Sequence, residues 1–289
     1  PENYGKKFYG PSTLRVGIEK SRNLMTVRVA QKIGLEKISK ITNNFGIYNH
    51  VPELLSVSLG AAETTLIQLT NAYCTFVNGG KKVTPIFIDR IQDRRGKTIF
   101  NADKRKCMGC EEISYLKEEI PLIQDDRKQI ISPETAYQIT SMMEGVVKRG
   151  TGRKLRNSKL SLAGKTGTTN KNMDAWFIGF TSKLVIGAYV GFDEPKSLGK
   201  YETGAKAALP VFKKFSCEEV SAVDLEKENL MSWLEMTIKG KSKQSLVFWG
   251  LKKLLVPNFM MQSIFFRGEG PRLVSRTKST LSKEKSSSL

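Results

Sequence analysis

Three hydrophobic runs follow one another between residues 160 and 192, and they constrain the fold more than any other feature of the chain. The runs are 160–169, 174–181 and 184–192, and very short links join them. Links of this length join antiparallel neighbours, because parallel strands need a crossover of a dozen or more residues. Apolar residues occupy both faces of the middle run, so we expect helices on both sides of an antiparallel sheet.

Amphipathic and capped segments elsewhere predict those helices. Apolar residues recur at three-to-four spacing in 13–21, 24–33 and 64–77. The segment 132–150 begins with Ser-Pro-Glu, which supplies a hydroxyl cap, a proline at the first helical position and an acid in the first turn. A last helix is predicted at 205–215. The expected fold class is therefore α/β, an antiparallel sheet flanked by helices beside a mainly helical lobe.

The chain changes character after residue 215. Residues 1–215 read as one unit, which includes a predicted β-hairpin at 85–100 and a charged, irregular loop at 101–130. Residues 216–289 show only a weak helical pattern and a Ser/Lys-rich end that is predicted to be disordered. Two origins of this tail stay open, an unrelated extension or a shifted reading frame. The second is favoured because the segment lacks clear turns, caps and periodicity.

The net charge of +19 indicates an affinity for anions but not a nucleic-acid arm. The 47 basic residues are spread along the chain instead of forming a dense basic segment. A nucleic-acid partner is therefore not expected. No run of 18 apolar residues is present, so the sequence predicts no transmembrane helix.

A metal site is not expected either. Cys107 and Cys110 have the spacing of half a zinc site, but no second pair follows, and His50 is the single histidine. A local disulfide or two unpaired thiols fits Cys107 and Cys110 better. We expect no cofactor.

Two short motifs indicate chemistry. A Ser-x-Asn triplet lies at a predicted helix junction, and a Lys-Thr-Gly triplet followed by two threonines lies on the first predicted strand. Their residues are Ser21 and Asn23 in the first motif, and Lys165, Thr166, Gly167, Thr168 and Thr169 in the second. Serine penicillin-recognising enzymes use Ser-x-x-Lys, Ser-x-Asn and Lys-Thr-Gly in this chain order. Each triplet alone occurs by chance, but the ordered pair on the right elements is more specific.

With these motifs in place, the chain resembles the transpeptidase domain of class A penicillin-binding proteins, the bifunctional peptidoglycan synthases. The resemblance covers roughly residues 1–215 and is most specific around the Lys-Thr-Gly strand and the strand after it. The stretches that carry it are 1–4, 9–11, 19–23, 132–137, 163–170 and 174–180. In an intact protein the implied reaction is D,D-transpeptidation, which cross-links peptidoglycan stem peptides through an acyl-enzyme.

The resemblance implies roles for the early motif and for the lysine. Ser21 would relay a proton toward the leaving nitrogen, in an environment set partly by Lys165. Asn23 would hydrogen-bond the peptide backbone of the bound stem.

The resemblance also implies roles for the rest of the strand. The backbone N–H of Thr168 would be an oxyanion donor. Gly167 would let the substrate lie against the strand as an added strand. The hydroxyls of Thr166, Thr168 and Thr169, with the cation of Lys165, would bind the terminal carboxylate of the substrate.

One element of the family pattern is absent. No Ser-x-x-Lys precedes Ser21, so the nucleophilic serine and its lysine base are missing, and three matches, which begin at Ser197, Ser275 and Ser282, follow the Lys-Thr-Gly strand. The family's glycosyltransferase domain and membrane anchor would also lie upstream of Pro1. We therefore expect a partial domain that is inactive by itself, an internal piece of a longer product.

The resemblance implies partners and a location as well. D-Ala-D-Ala stem peptides and β-lactams would be the ligands, on the periplasmic face of the inner membrane of a bacterial envelope, with membrane association only through the missing anchor. Three alternatives stay open. They are a D,D-carboxypeptidase, a β-lactamase-like hydrolase that shares the motifs, and a non-catalytic remnant or binding module.

Overall fold

A computed structural model of the chain describes residues 2–105, 125–218, 245–256 and 259–269. The α-helices in these ranges are α1 (Leu14–Glu19), α2 (Asn23–Ile33), α3 (Leu35–Phe45), α4 (Leu66–Val77), α5 (Pro133–Lys148) and α6 (Ala208–Glu218). The strands are β1 (Arg90–Gln92), β2 (Thr98–Asn101), β3 (Ala163–Thr168), β4 (Ala175–Phe180), β5 (Leu184–Gly191), β6 (Ser245–Val256) and β7 (Phe259–Glu269). Short 3-10 helices lie at Leu55–Leu59, Arg153–Leu155 and Asn170–Asn172.

The main sheet is antiparallel, with the strand order β3-β4-β5-β7-β6. Lys165 lies opposite Ile178 and Gly167 lies opposite Trp176 in the β3–β4 register. This confirms the antiparallel arrangement expected from the short links. Within the described part of the chain β3 has a strand neighbour on one side only, so it is an edge strand of this sheet.

Helices cover the central strands on both sides, as the apolar pattern of β4 predicts. On one face Ile178 packs in a buried cluster with Leu66 of α4 and Met143 of α5. On the other face the Phe177 ring lies 4.8 Å from the ring of Phe212 on α6. The alternation of β4 side chains between two cores fixes the register of the sheet, because a slip of one residue would exchange the two faces.

Helix ends follow the caps that the sequence supplies. Thr65 and Gln68 form a capping box at the start of α4. The Ser132 hydroxyl accepts a hydrogen bond from the backbone N–H of Thr135, with Pro133 at the first helical position of α5. The predicted helices are confirmed, with shifts of up to three residues at their ends.

The first 60 residues form the helical part of the fold. Helix α1 packs on α5, and α2 packs on the 3-10 helix Leu55–Leu59. The predicted hairpin is present as β1 and β2, which form a separate two-stranded sheet with exposed side chains. No helix in the described ranges combines the length and apolar character that a bilayer crossing requires.

The helical pattern expected beyond residue 216 is wrong for two segments. Ser245–Val256 and Phe259–Glu269 are strands that form a hairpin, and β7 of this hairpin pairs with β5 across the full length of β5. Apolar residues are too dense in these segments to show a helical or a strand period. The β-branched and aromatic residues among them favour strands. The Ser/Lys-rich end at 275–289 lies outside the described residues.

Candidate active site

The Lys-Thr-Gly strand and the Ser-x-Asn junction meet in space. The Lys165 Nζ donates a hydrogen bond of 2.8 Å to the Ser21 Oγ, across 144 residues of sequence. It donates a second hydrogen bond, of 2.9 Å, to the carbonyl oxygen of Thr166. The two motifs therefore form one site, on the edge strand of the sheet.

The protein environment of Lys165 stabilises the neutral amine relative to the ammonium, compared with water. Burial lowers the pKa of Lys165 from 10.5 to about 8, because an ammonium loses hydration when it is buried. A group with a pKa near neutrality gives up and takes back a proton readily at physiological pH. Lys165 can therefore exchange a proton with the Ser21 hydroxyl that it touches.

The backbone around Ser21 explains how the hydroxyl is aimed. Ser21 has a φ of 52°, in the left-handed region, directly after the end of α1. Its N–H donates to the carbonyl of Ile18, and the N–H of Arg22 donates to the carbonyl of Gly17. These two bonds form a Schellman cap, whose left-handed position is usually glycine. A serine in that position points to a requirement for its side chain.

Asn23 lies at the first residue of α2, close to Ser21 in sequence. Its side-chain amide donates a 3.1 Å hydrogen bond to the carbonyl of Glu2, and the guanidinium of Arg22 lies 3.1 Å from the ring centroid of Tyr9. The N-terminal segment therefore contacts this junction. An amide has two N–H donors and a carbonyl acceptor, so Asn23 can bond a stem peptide while it keeps its contact with the Glu2 carbonyl.

Two threonine hydroxyls at the end of the strand already accept hydrogen bonds from backbone N–H groups. The Thr168 Oγ1 accepts from the N–H of Gly204 at 3.0 Å, and the Thr169 Oγ1 accepts from the N–H of Asp174 at 2.8 Å. A hydroxyl that accepts one bond still has its own proton to donate. Thr168 and Thr169 can therefore each donate to an anion while they remain fixed by the backbone.

Gly167 is enclosed on its side-chain face. A Cβ added at Gly167 would lie 3.0 Å from the Cβ of Trp176. Gly204 lies against the same pair of residues, since its own Cβ would come within 2.4 Å of the carbonyl oxygens of Gly167 and Trp176. Both glycines allow a close approach of backbone to the site strand.

Thr151 is a site neighbour that the sequence analysis missed. Its Oγ1 lies 2.8 Å from the Oγ1 of Thr166, and either hydroxyl can donate. The available signal was a threonine between Gly150 and Gly152, just after the predicted helix 132–150.

The candidate metal ligands do not come together in the described part of the chain. No group of three His, Cys, Asp or Glu side chains lies close enough there to hold a metal ion. His50 is exposed, and burial raises the pKa of the Cys74 thiol well above its usual range. Cys107 and Cys110 lie outside the described residues.

Comparison with known proteins shows the family to which the chain is similar. The family model of the penicillin binding protein transpeptidase domain matches residues 2–216. Penicillin-binding protein 1A of Rickettsia prowazekii (strain Madrid E) is 48% identical over 216 residues, which cover 73% of this chain and 27% of that protein. Penicillin-binding protein 1A of Pseudomonas aeruginosa is 34% identical over 243 residues, which cover 73% of this chain and 30% of that protein.

Solved structures agree as well. Penicillin-binding protein 1A from Haemophilus influenzae superposes with a TM-score of 0.66 at 31% identity, over 79% of this chain and 37% of that chain. PonA1 from Mycobacterium tuberculosis in complex with penicillin V has the same fold, with a TM-score of 0.60 at 21% identity, over 78% of this chain and 61% of that one. The chain spans less than a third of the length of the curated relatives described above. It belongs to the penicillin-binding proteins, and it contains part of the transpeptidase domain of the class A, 1A type.

Proposed function

We propose that this chain supplies the proton-relay and substrate-binding part of a D,D-transpeptidase site that cross-links peptidoglycan stem peptides. The observation that carries the proposal is the 2.8 Å hydrogen bond between the Lys165 Nζ and the Ser21 Oγ. Two motifs so distant in sequence meet at β3, an edge strand of the described sheet, and an edge strand is where an extended peptide can add to a sheet.

The chemistry follows from the groups at this edge. A nucleophilic serine attacks the D-Ala-D-Ala amide, the carbonyl oxygen gains negative charge, and the departing nitrogen of D-alanine needs a proton. Thr168 offers a backbone N–H to the oxyanion, and Ser21 passes its hydroxyl proton to the nitrogen. Lys165 returns a proton to Ser21, which its pKa of about 8 allows.

Recognition of the terminal carboxylate is assigned to the hydroxyls. Thr166 and Thr168 lie on β3 and Thr169 follows directly after it. The hydroxyls of Thr168 and Thr169 each keep a proton to donate. Asn23 is assigned to the stem backbone, as an amide that can both donate and accept.

Binding of a stem mimic tests this proposal. An N-acyl-D-Ala-D-Ala peptide, titrated into the full chain and followed by calorimetry, is expected to bind, whereas the N-acyl-L-Ala-L-Ala peptide is not. Lys165→Met should weaken the binding at least tenfold, whereas Lys97→Met on the exposed turn between β1 and β2 should not change it. Equal binding of the two peptides would refute the assignment.

Turnover by the 289-residue chain alone is not part of the proposal. The sequence has no Ser-x-x-Lys ahead of Ser21, and in this mechanism that motif provides the acylated serine. Incubation with a fluorescent penicillin should therefore leave no covalent label on the chain. A label on any of its serines, located by mass spectrometry, would contradict this part of the proposal.

Membership of the family also supports a place in the bacterial cell envelope, on its periplasmic face, where β-lactams would compete with the stem peptide. Duplex DNA is not a proposed partner, although the chain has a net charge of +19. A mobility shift that disappears with added salt would be evidence for nucleic-acid binding.

A further inference from the structure

We infer that Glu19 is a positioning residue for Ser21, and that its buried carboxylate holds the end of α1 on α5 and thereby sets where the Ser21 hydroxyl meets Lys165. The inference rests on the proposed function, in which Ser21 and Lys165 form the proton relay. Glu19 lies two residues before Ser21 and is assigned no contact with substrate.

Glu19 is buried and is paired with Arg149 at the end of α5. Only 4% of Glu19 is exposed, which is unusual for a glutamate unless its charge is compensated. The Arg149 Nε donates to the Glu19 Oε2 at 3.2 Å, and the Arg149 Nη2 donates to the Oε1. The Arg15 Nη1 lies 3.9 Å from the Oε1. Only the glutamate of this pair is buried, since 55% of the Arg149 side chain is exposed. Loss of Arg149 would leave the buried Glu19 carboxylate without its charge partner, so the pair helps to hold the end of α1 against the end of α5.

Two glycines make the space that Glu19 occupies. A Cβ at Gly145 would lie 2.0 Å from the Glu19 Oε1, and a Cβ at Gly150 would lie 2.1 Å from the Glu19 carbonyl oxygen. Gly145 lies inside α5, where glycine is less favourable than alanine by about 1 kcal/mol. A helix that contains glycine where a carboxylate must fit indicates that the contact with Glu19 is built into the fold.

The same contact reaches the Lys-Thr-Gly strand. The N–H of Thr151 donates to the carbonyl of Glu19 at 3.1 Å, and the Lys20 Nζ donates to the carbonyl of Arg149 at 2.5 Å. The Thr151 hydroxyl in turn bonds to the hydroxyl of Thr166, next to Lys165. The segment after α5 therefore contacts the two residues before Ser21 and the residue after Lys165.

The Lys165 side-chain pKa is the readout, measured by nitrogen-detected NMR titration of the full chain, with the signal assigned through Lys165→Arg. If Glu19 only stabilised α1, without setting the position of Ser21, its replacement would not change the pKa of Lys165. We expect Glu19→Gln to raise this pKa from about 8 by about half a unit or more, because displaced Ser21 lets water reach the amine. Glu144→Gln is the control, since it removes an ion pair of α5 with Lys148 instead.

Gly145→Ala is the second variant, because it displaces the carboxylate while it improves helix propensity. A raised Lys165 pKa in both Glu19→Gln and Gly145→Ala, with Glu144→Gln unchanged, supports the inference. An unmoved pKa in the two folded variants, an equal shift in the control, or unfolding of both variants by circular dichroism would each overturn it. If the pKa shifts but the D-Ala-D-Ala peptide does not bind to the unmodified chain, the proposed function fails and the positioning of Ser21 stands.

Discussion

Replacement of Ser21 by glycine and by alanine separates the cost of its backbone conformation from the role of its hydroxyl. Both variants lose the hydrogen bond from Lys165, so the difference between them reports mainly their tolerance of the left-handed φ of 52°. The left-handed conformation costs a non-glycine residue about 1–2 kcal/mol. Glycine loses about 0.4–1 kcal/mol of this advantage because its unfolded chain is more flexible.

The net expectation is that Ser21→Gly is more stable than Ser21→Ala by about 0.5–1 kcal/mol. Urea denaturation followed by circular dichroism at pH 7 measures this, and the midpoints should differ by about 0.3 M for a slope of about 2–3 kcal/mol/M. Neither variant should bind the N-acyl-D-Ala-D-Ala peptide as the unmodified chain does. An alanine variant as stable as the glycine variant would refute the assignment of Ser21 to a strained cap.

Three further changes test other contacts. Because the pKa of Lys165 is about 8 in the folded state and 10.5 otherwise, the folded state releases this proton first. The free energy of unfolding should therefore rise with pH from about 8 to 9.5 relative to Lys165→Met, measured by urea titrations, and a flat difference would contradict the burial of Lys165. Gly204→Ala should destabilise the folded chain by about 1–3 kcal/mol, since the added Cβ would lie 2.4 Å from the Gly167 carbonyl oxygen. Gly152→Ala should cost less, since the nearest atom to its added Cβ lies at 3.4 Å. Thermal melts of the two variants compare these costs. Tyr189→Phe removes the 2.8 Å hydrogen bond to the Asp174 carboxylate and should cost about 1.5–3 kcal/mol by urea denaturation, and an unchanged midpoint would count against that bond.

Much of the fold follows from local signals in the sequence. The strands β3, β4 and β5 are predicted because their links are too short for parallel pairing, and the two apolar faces of β4 predict helices on both sides. Helix α5 is predicted from its Ser132-Pro133 start. These features are local, so one sequence is enough to find them.

The rest depends on contacts between distant segments. The order of two motifs indicates that Ser21 and Lys165 share a site, but no spacing predicts that their side chains touch. The contact of Thr151 with Thr166 and the burial of Glu19 depend on how α5 crosses the end of α1 and the edge of β3. The strands β6 and β7 were missed because their apolar residues are too dense to distinguish a strand from a helix by period.

One titration tests the central claim most directly. The N-acyl-D-Ala-D-Ala peptide is added to the isotope-labelled full chain, and the backbone amide signal of Ser21 and the side-chain signal of Lys165 are followed together by NMR. If the two residues line one cleft, both signals shift along a single binding curve, and the N-acyl-L-Ala-L-Ala peptide shifts neither. Signals that stay fixed at saturating peptide, or that move with unrelated affinities, would show that Ser21 and Lys165 do not form one D-alanine-recognising site.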